Sequence, residues 1–183
     1  MFRNRKVQYA VLAGSLVVLS AIAAWRLLPG GRGPSPKELA HQALEAPTPA
    51  AQEAAALQLA RLANDDHQAD EGLRQEAKQY LHRVLAKSQS PPVQAACLQG
   101  LAAQWDYDIM PALLKALEHD SALVRGRAAA AIQRLLSVDL GYRYDDPPEK
   151  RRQAVQRIAK YWEQMRDSPL IRSWKKRLQE QGP

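Results

Sequence analysis

The sequence predicts an all-α fold: a short right-handed α-solenoid of about three helix pairs, preceded by one transmembrane helix. Three observations carry this expectation. An uncharged run from Val7 to Trp25 is apolar on every side, apolar residues beyond it recur at intervals of three and four, and a helix-pair pattern returns along the chain. The composition agrees. Alanine and leucine dominate, one phenylalanine occurs in 183 residues, and no strand-length run of β-branched or aromatic residues lies outside the apolar segment.

Residues 1–26 read as a basic tail and a signal anchor. Arg3, Arg5 and Lys6 precede the apolar run and Arg26 closes it. As a helix the run spans roughly 28 Å, close to the hydrocarbon thickness of a bilayer. Val7, Leu12, Leu16, Leu19, Ile22 and Trp25 are the expected anchor residues, with Trp25 and Arg26 at headgroup level. Ala21-Ile22-Ala23 also fits a small-x-small cleavage site, and cleavage there would release a secreted or periplasmic domain. The apolar run exceeds the roughly 7–15 residues usual for a signal peptide, which favours a retained anchor. Ala10 and Gly14 form a small-xxx-small pair of the kind that lets two membrane helices approach. Basic residues tie at three on each flank, and the short basic tail favours a cytoplasmic N-terminus. The expectation is a single-pass membrane protein with its domain outside the cytoplasm.

Residues 27–35 are rich in proline and glycine and read as a linker. Helix starts then recur as a capping residue followed by proline: Ser35-Pro36, Thr48-Pro49, Ser90-Pro91, Asp146-Pro147 and Ser168-Pro169. The cap side chain accepts from an orphan amide, and proline at the next position forfeits no helical bond. Asp120-Ser121 opens another helix without proline. Between the starts, Leu73, Ala77, Leu81 and Val84 form one apolar stripe, Met110, Leu113 and Leu117 a second, and Val155, Ile158, Trp162 and Met165 a third.

The helices repeat as pairs across residues 36–140. Val93-Gln94-x-x-Cys97-x-x-Gly100-Leu101 matches Val124-Arg125-x-x-Ala128-x-x-Ala131-Ile132 at an offset of 31 residues. A fainter copy, Ala51-Gln52-x-x-Ala55-x-x-Gln58-Leu59, lies 42 residues before the first of these. Such a period marks a solenoid, in which each pair buries its face against its neighbours. The stretch Asp120-x-x-x-Val124-Arg125-x-x-Ala128-Ala129-x-Ala131-Ile132 resembles the second helix of a HEAT repeat. The resemblance is strongest over residues 108–137, weaker over 70–105 and weakest over 36–64. It implies that Val93, Cys97, Leu101, Val124, Ala128, Ala131 and Ile132 pack between helices, and that Asp120 and Arg125 bond between adjacent repeats.

Residues 141–183 depart from the repeat. The loop Gly141–Pro148 precedes a helix whose Tyr161-Trp162 is heavy enough to close the open end of the stack. A basic segment follows with Arg172, Lys175, Lys176 and Arg177, candidates for binding an anionic partner such as acidic lipid headgroups. Charge is uneven. Residues 38–148 carry ten basic and fifteen acidic side chains, a net of −5, and residues 149–183 a net of +6. The acidic middle argues against a nucleic-acid clamp.

Nothing in the chain reads as catalysis. Among His41, His67, His82 and His119 there is no i,i+4 pair and no Cys–His spacing, so no zinc motif is written, and Asp139, Asp145 and Asp146 lack an EF-hand pattern. The lone Cys97 lies on an apolar helical face and reads as a buried thiol. No P-loop, GxGxxG or GxSxG occurs, and no cofactor is expected. The expected function is a non-catalytic, membrane-anchored scaffold for protein–protein interaction. The alternatives are a released HEAT-like domain, or a HEAT-like enzyme or accessory factor of the phycobilin lyase or DNA-alkylation repair type.

Overall fold

The computed structural model describes residues 33–65 and 70–180, with side chains through 177. The anchor segment Val7–Trp25 lies outside the described residues, as do most of the linker and Asp66 and His67. Among the described residues no helix is long and apolar enough to cross a membrane. One compact unit begins at Pro36.

Among its described residues all regular structure is helical. The helices are α1 (Pro36–Glu45), α2 (Pro49–Ala63), α3 (Glu71–Lys87), α4 (Pro91–Ala103), α5 (Met110–Ala116), α6 (Ala122–Leu136), α7 (Pro148–Met165) and α8 (Pro169–Glu180), with a 3₁₀ turn at Tyr107–Ile109 before α5. The first six pack as three pairs: α1 on α2, α3 on α4, α5 on α6. The second helices stack in the order α2, α4, α6, and α1 packs on α3. This arrangement is that of an α-solenoid. Its core is built from alanine and leucine, with Leu59, Leu81, Leu101 and Leu113 fully buried between layers.

The helix starts follow the expected chemistry with exceptions. Thr48 Oγ1 accepts from the Ala51 amide, and Ser168 Oγ from the Ile171 amide. Asp70 caps α3 by accepting from the Leu73 amide. Ser90 and Ser121 stand at N-caps without a side-chain capping bond. The start of α7 falls one residue later than expected: Pro147 is the N-cap, and Asp146 serves through its carbonyl, which accepts from Arg151. Pro148 disfavours helical backbone at the residue before it, and Pro147 is accordingly extended, with ψ of 149°.

The stack ends in two helices. Ala154, Ile158 and Trp162 of α7 and Ile171 of α8 are buried. Tyr107 lies parallel to Trp162 at 6.2 Å and edge-on to Trp174 of α8 at 4.8 Å. Tyr142 donates its hydroxyl to the Leu117 carbonyl. The third pair is thereby covered by aromatic rings rather than by a fourth repeat.

Candidate functional site

The residues expected to stack the repeats divide by position. Val93, Cys97 and Leu101 of α4 and Val124, Ala128, Ala131 and Ile132 of α6 are all buried. Burial pushes the Cys97 thiol up to about 12, so it is a packing group with no thiolate character. At Gly100 α4 approaches α2 closely: a Cβ there would sit 2.6 Å from the Ala60 Cβ.

Arg125 does not play the inter-repeat role that the resemblance implied. Its Nη1 donates to the carbonyls of His119 (2.9 Å) and Asp120 (2.7 Å), within its own pair. Its Nε reaches forward to the Tyr144 carbonyl at 3.0 Å. Asp120 takes part through its backbone carbonyl, and its side chain is exposed. The equivalent positions behave alike. Gln94 Nε2 donates to the Ser88 carbonyl at 2.7 Å, and Gln52 Nε2 to the Ala46 carbonyl at 3.0 Å. Each side chain reaches back six residues to a carbonyl left open where the preceding helix ends. The polar residue of the repeat thus closes each pair's own hairpin, and glutamine or arginine serves equally.

A second polar cluster joins the pairs, and its spacing carried no motif. Asp106 is 1 % exposed. Its Oδ2 lies 2.8 Å from His82 Nε2 and 3.1 Å from Lys78 Nζ, and its Oδ1 accepts from the Asp108 amide at 3.0 Å. Burial pushes its carboxyl up, but the His82 hydrogen bond and the Lys78 charge outweigh this and hold it below its ordinary value. Lys78 and His82 stand four apart on α3, so one helix face holds the turn that leads into the third pair. The only sequence signal was an i,i+4 basic pair facing an acid that also caps the 3₁₀ turn.

Three surfaces are open. α3 and α5 stand apart, and a groove of about 760 Å³ lies between their carboxyl ends, lined by His82, Leu85, Ser88, Lys115, Glu118 and His119 among others. The basic segment forms α8 with Arg172, Lys175, Lys176 and Arg177 all exposed. Lys175 is already paired, its Nζ 3.3 Å from Asp108. The third surface is the face of α2, α4 and α6 turned away from the first helices. It carries Leu57 and Arg61 of α2, Gln99 of α4, and Leu123, Arg127 and Arg134 of α6, all exposed.

At one end of that face stands Trp105, 42 % exposed, with φ of 56°. It follows α4 at the left-handed position that usually takes glycine. Its amide donates to the Ala102 carbonyl and the Asp106 amide to Leu101, which completes a Schellman closure of α4. A left-handed backbone costs a residue with a Cβ about 1–2 kcal/mol. The Arg134 guanidinium sits 5.5 Å from the Trp105 ring centroid, and its Nη2 donates to the Ala103 carbonyl at 3.4 Å.

The geometry of the third pair has a counterpart among known families. Residues 109–138 match the family model of the HEAT repeat. The match opens at the 3₁₀ turn and closes just beyond α6, so it frames one helix pair with the Arg125 clamp inside it. No curated protein and no solved structure is matched by the chain. The HEAT repeat match bears on the architecture and carries no chemistry. Among the described residues no group of three or more histidine, cysteine, aspartate or glutamate side chains is placed to hold a metal.

Proposed function

We propose that this protein is a non-catalytic scaffold, tethered to a membrane by its N-terminal segment, that presents the outward face of its second helices to a partner protein. The observation that carries the reading is that face: Leu57 of α2, Leu123 of α6 and Trp105 just beyond α4 are exposed among arginines. HEAT repeats commonly mediate protein interactions, and the match at 109–138 supports a scaffold of that kind. The tether rests on the uncharged run Val7–Trp25. In this reading the basic tail keeps the N-terminus in the cytoplasm and the domain lies outside it. Tethering raises the local concentration of the docking face at the membrane. Arg172 and Arg177 of α8 add an attraction for anionic headgroups.

The test is fractionation combined with protease access to a C-terminal tag. The full chain is expected in the membrane fraction, resistant to carbonate extraction, and the chain lacking residues 1–26 in the soluble fraction. Cleavage of the tag after opening only an outer membrane or cell wall places the domain outside the cytoplasm. Recovery of the full chain in the soluble fraction sinks the tether. A photo-crosslinking residue at Leu57, Leu123 or Gln99 tests the scaffold: a discrete crosslinked protein is expected, and its absence at every exposed position rejects the reading.

A further inference from the structure

The second-helix face differs in charge from the rest of the domain. Residues 38–148 are net acidic, yet the outward stripe of α2, α4 and α6 carries three exposed arginines, Arg61, Arg127 and Arg134, against one carboxylate, the half-buried Glu53. In register, Arg61 of α2, Ala103 of α4 and Arg134 of α6 occupy equivalent places. Asn64 Nδ2 donates to the Gly100 carbonyl at 3.0 Å, and Arg134 reaches the Ala103 carbonyl. These bonds bring the ends of α2 and α6 against the same end of α4, where Trp105 follows. Four arginines elsewhere are paired with acids, Arg74 with Glu71, Arg143 with Asp139, Arg152 with Glu149 and Arg166 with Glu163, while Arg83 lies over the Tyr80 ring and Arg151 donates to a carbonyl. Arg61 and Arg127 have no such partner among the described residues, and Arg134 has only the indole and a carbonyl.

We propose that this face docks an acidic, partly apolar helical segment of a partner protein, with Trp105 and Arg134 as its anchor. The inference rests on the scaffold reading and names the chemistry of the partner. Leu57 and Leu123, 41 % and 43 % exposed, stand on the two outer helices and offer apolar contact. Between them α4 exposes Gln99 flanked by the small residues Ala96 and Ala103, which leaves a shallow floor. Arg61, Arg127 and Arg134 supply the charge that an acidic flank requires. Tryptophan and arginine are the side chains most often found at the energetic centre of protein interfaces. Trp105 also holds a backbone position where glycine would be unstrained, and its ring is spent on solvent rather than on the core. The protein's own ends are poor occupants, since residues 1–37 carry six basic and no acidic side chains and residues 149–183 are net +6.

The experiment uses the full chain in detergent and a fluorescein-labelled helical peptide with leucine at heptad core positions and glutamate elsewhere. Anisotropy is expected to show saturable, salt-sensitive binding, and the same peptide with lysine for glutamate should not bind. Arg127→Glu with Arg134→Glu should weaken binding by roughly tenfold or more. Trp105→Asn keeps a residue suited to the left-handed position, so the fold is retained, and it should weaken binding several-fold. Arg157→Glu with Lys160→Glu on α7 should leave binding unchanged. Equal loss in the α7 variant would mean general attraction to a basic chain and would overturn the proposal. So would absence of peptide binding, preferential binding to phosphatidylglycerol vesicles through the same arginines, or a concentration-dependent dimer that the arginine variants abolish. If crosslinking at Leu57, Leu123 or Gln99 finds a partner while the glutamate peptide does not bind, the scaffold stands and the acidic partner falls.

Discussion

Gly100 lies where α4 packs closely on α2, and the consequence of filling it follows from one distance. A methyl group there would meet the Ala60 Cβ at 2.6 Å, well inside van der Waals contact, and neither helix can move without disturbing α3 behind them. Gly100→Ala should therefore lower stability by about 1–3 kcal/mol despite the better helix propensity of alanine. A urea titration checks this, and a midpoint equal to that of the parent would mean that the helices separate freely. Asp106 supplies a second test. Its carboxyl is held below its ordinary value in the folded chain, so the Lys78–Asp106–His82 clasp stabilises at pH above the unfolded carboxyl value of about 3.9. That contribution is lost as the pH falls through the folded value. Asp106→Asn should cost about 1–3 kcal/mol at neutral pH, and the gap between the two proteins should narrow as the pH falls below the unfolded carboxyl value of about 3.9. Melting temperatures across an acid series read it directly. A gap that persists undiminished in acid would show that the loss comes from packing and not from charge.

At the scale of the element, the repeat uses one polar side chain to tie the end of its first helix to the start of its second. Gln94 makes this bond once, whereas Arg125 contacts two carbonyls of its own hairpin and one of the following loop. Gln94→Ala should cost about 0.5–1.5 kcal/mol, the usual worth of one such bond. Arg125→Ala should cost more, and Arg125→Gln should recover part of the loss, because glutamine serves in the other two pairs. Chemical denaturation of the three variants orders these effects, and equal losses for the alanine and glutamine variants would remove the clamp. Helix existence and most starts were legible from capping residues and apolar spacing. The direction of the Arg125 bonds was not, because a sequence repeat says which positions are equivalent and not which neighbour each one faces.

For the whole molecule, the stack survives only if its last pair is covered. Tyr107 has Trp162 and Trp174 as its ring partners, and both lie beyond residue 140. A chain ending at residue 140 should fail to accumulate as a soluble monomer, since it exposes the aromatic and apolar end of the solenoid. In the intact chain, Trp162→Ala should cost about 3–5 kcal/mol, the usual range for losing a large buried aromatic. Size-exclusion chromatography and thermal unfolding check the pair, and a well-behaved truncated monomer would mean that α7 and α8 are an appendage.

The division between what was readable and what was not follows from the range of the interactions involved. Caps, apolar periodicity and the 31-residue offset are written in neighbouring residues, so the all-helical fold and its paired organisation follow from the chain alone. Trp162 was recognisable as a closing residue because its helix pattern ends in bulky aromatics. Its stacking on Tyr107 was not, and neither were the Asp106 clasp and the juxtaposition of Trp105 and Arg134. Those depend on how far one helix slides along another, a register set by the fit of Gly100 against Ala60 and of side chains many residues apart. Local propensities carry no information about that slide. The docking face is therefore a product of packing: its residues are scattered over three helices and a turn, and only the stack places them side by side.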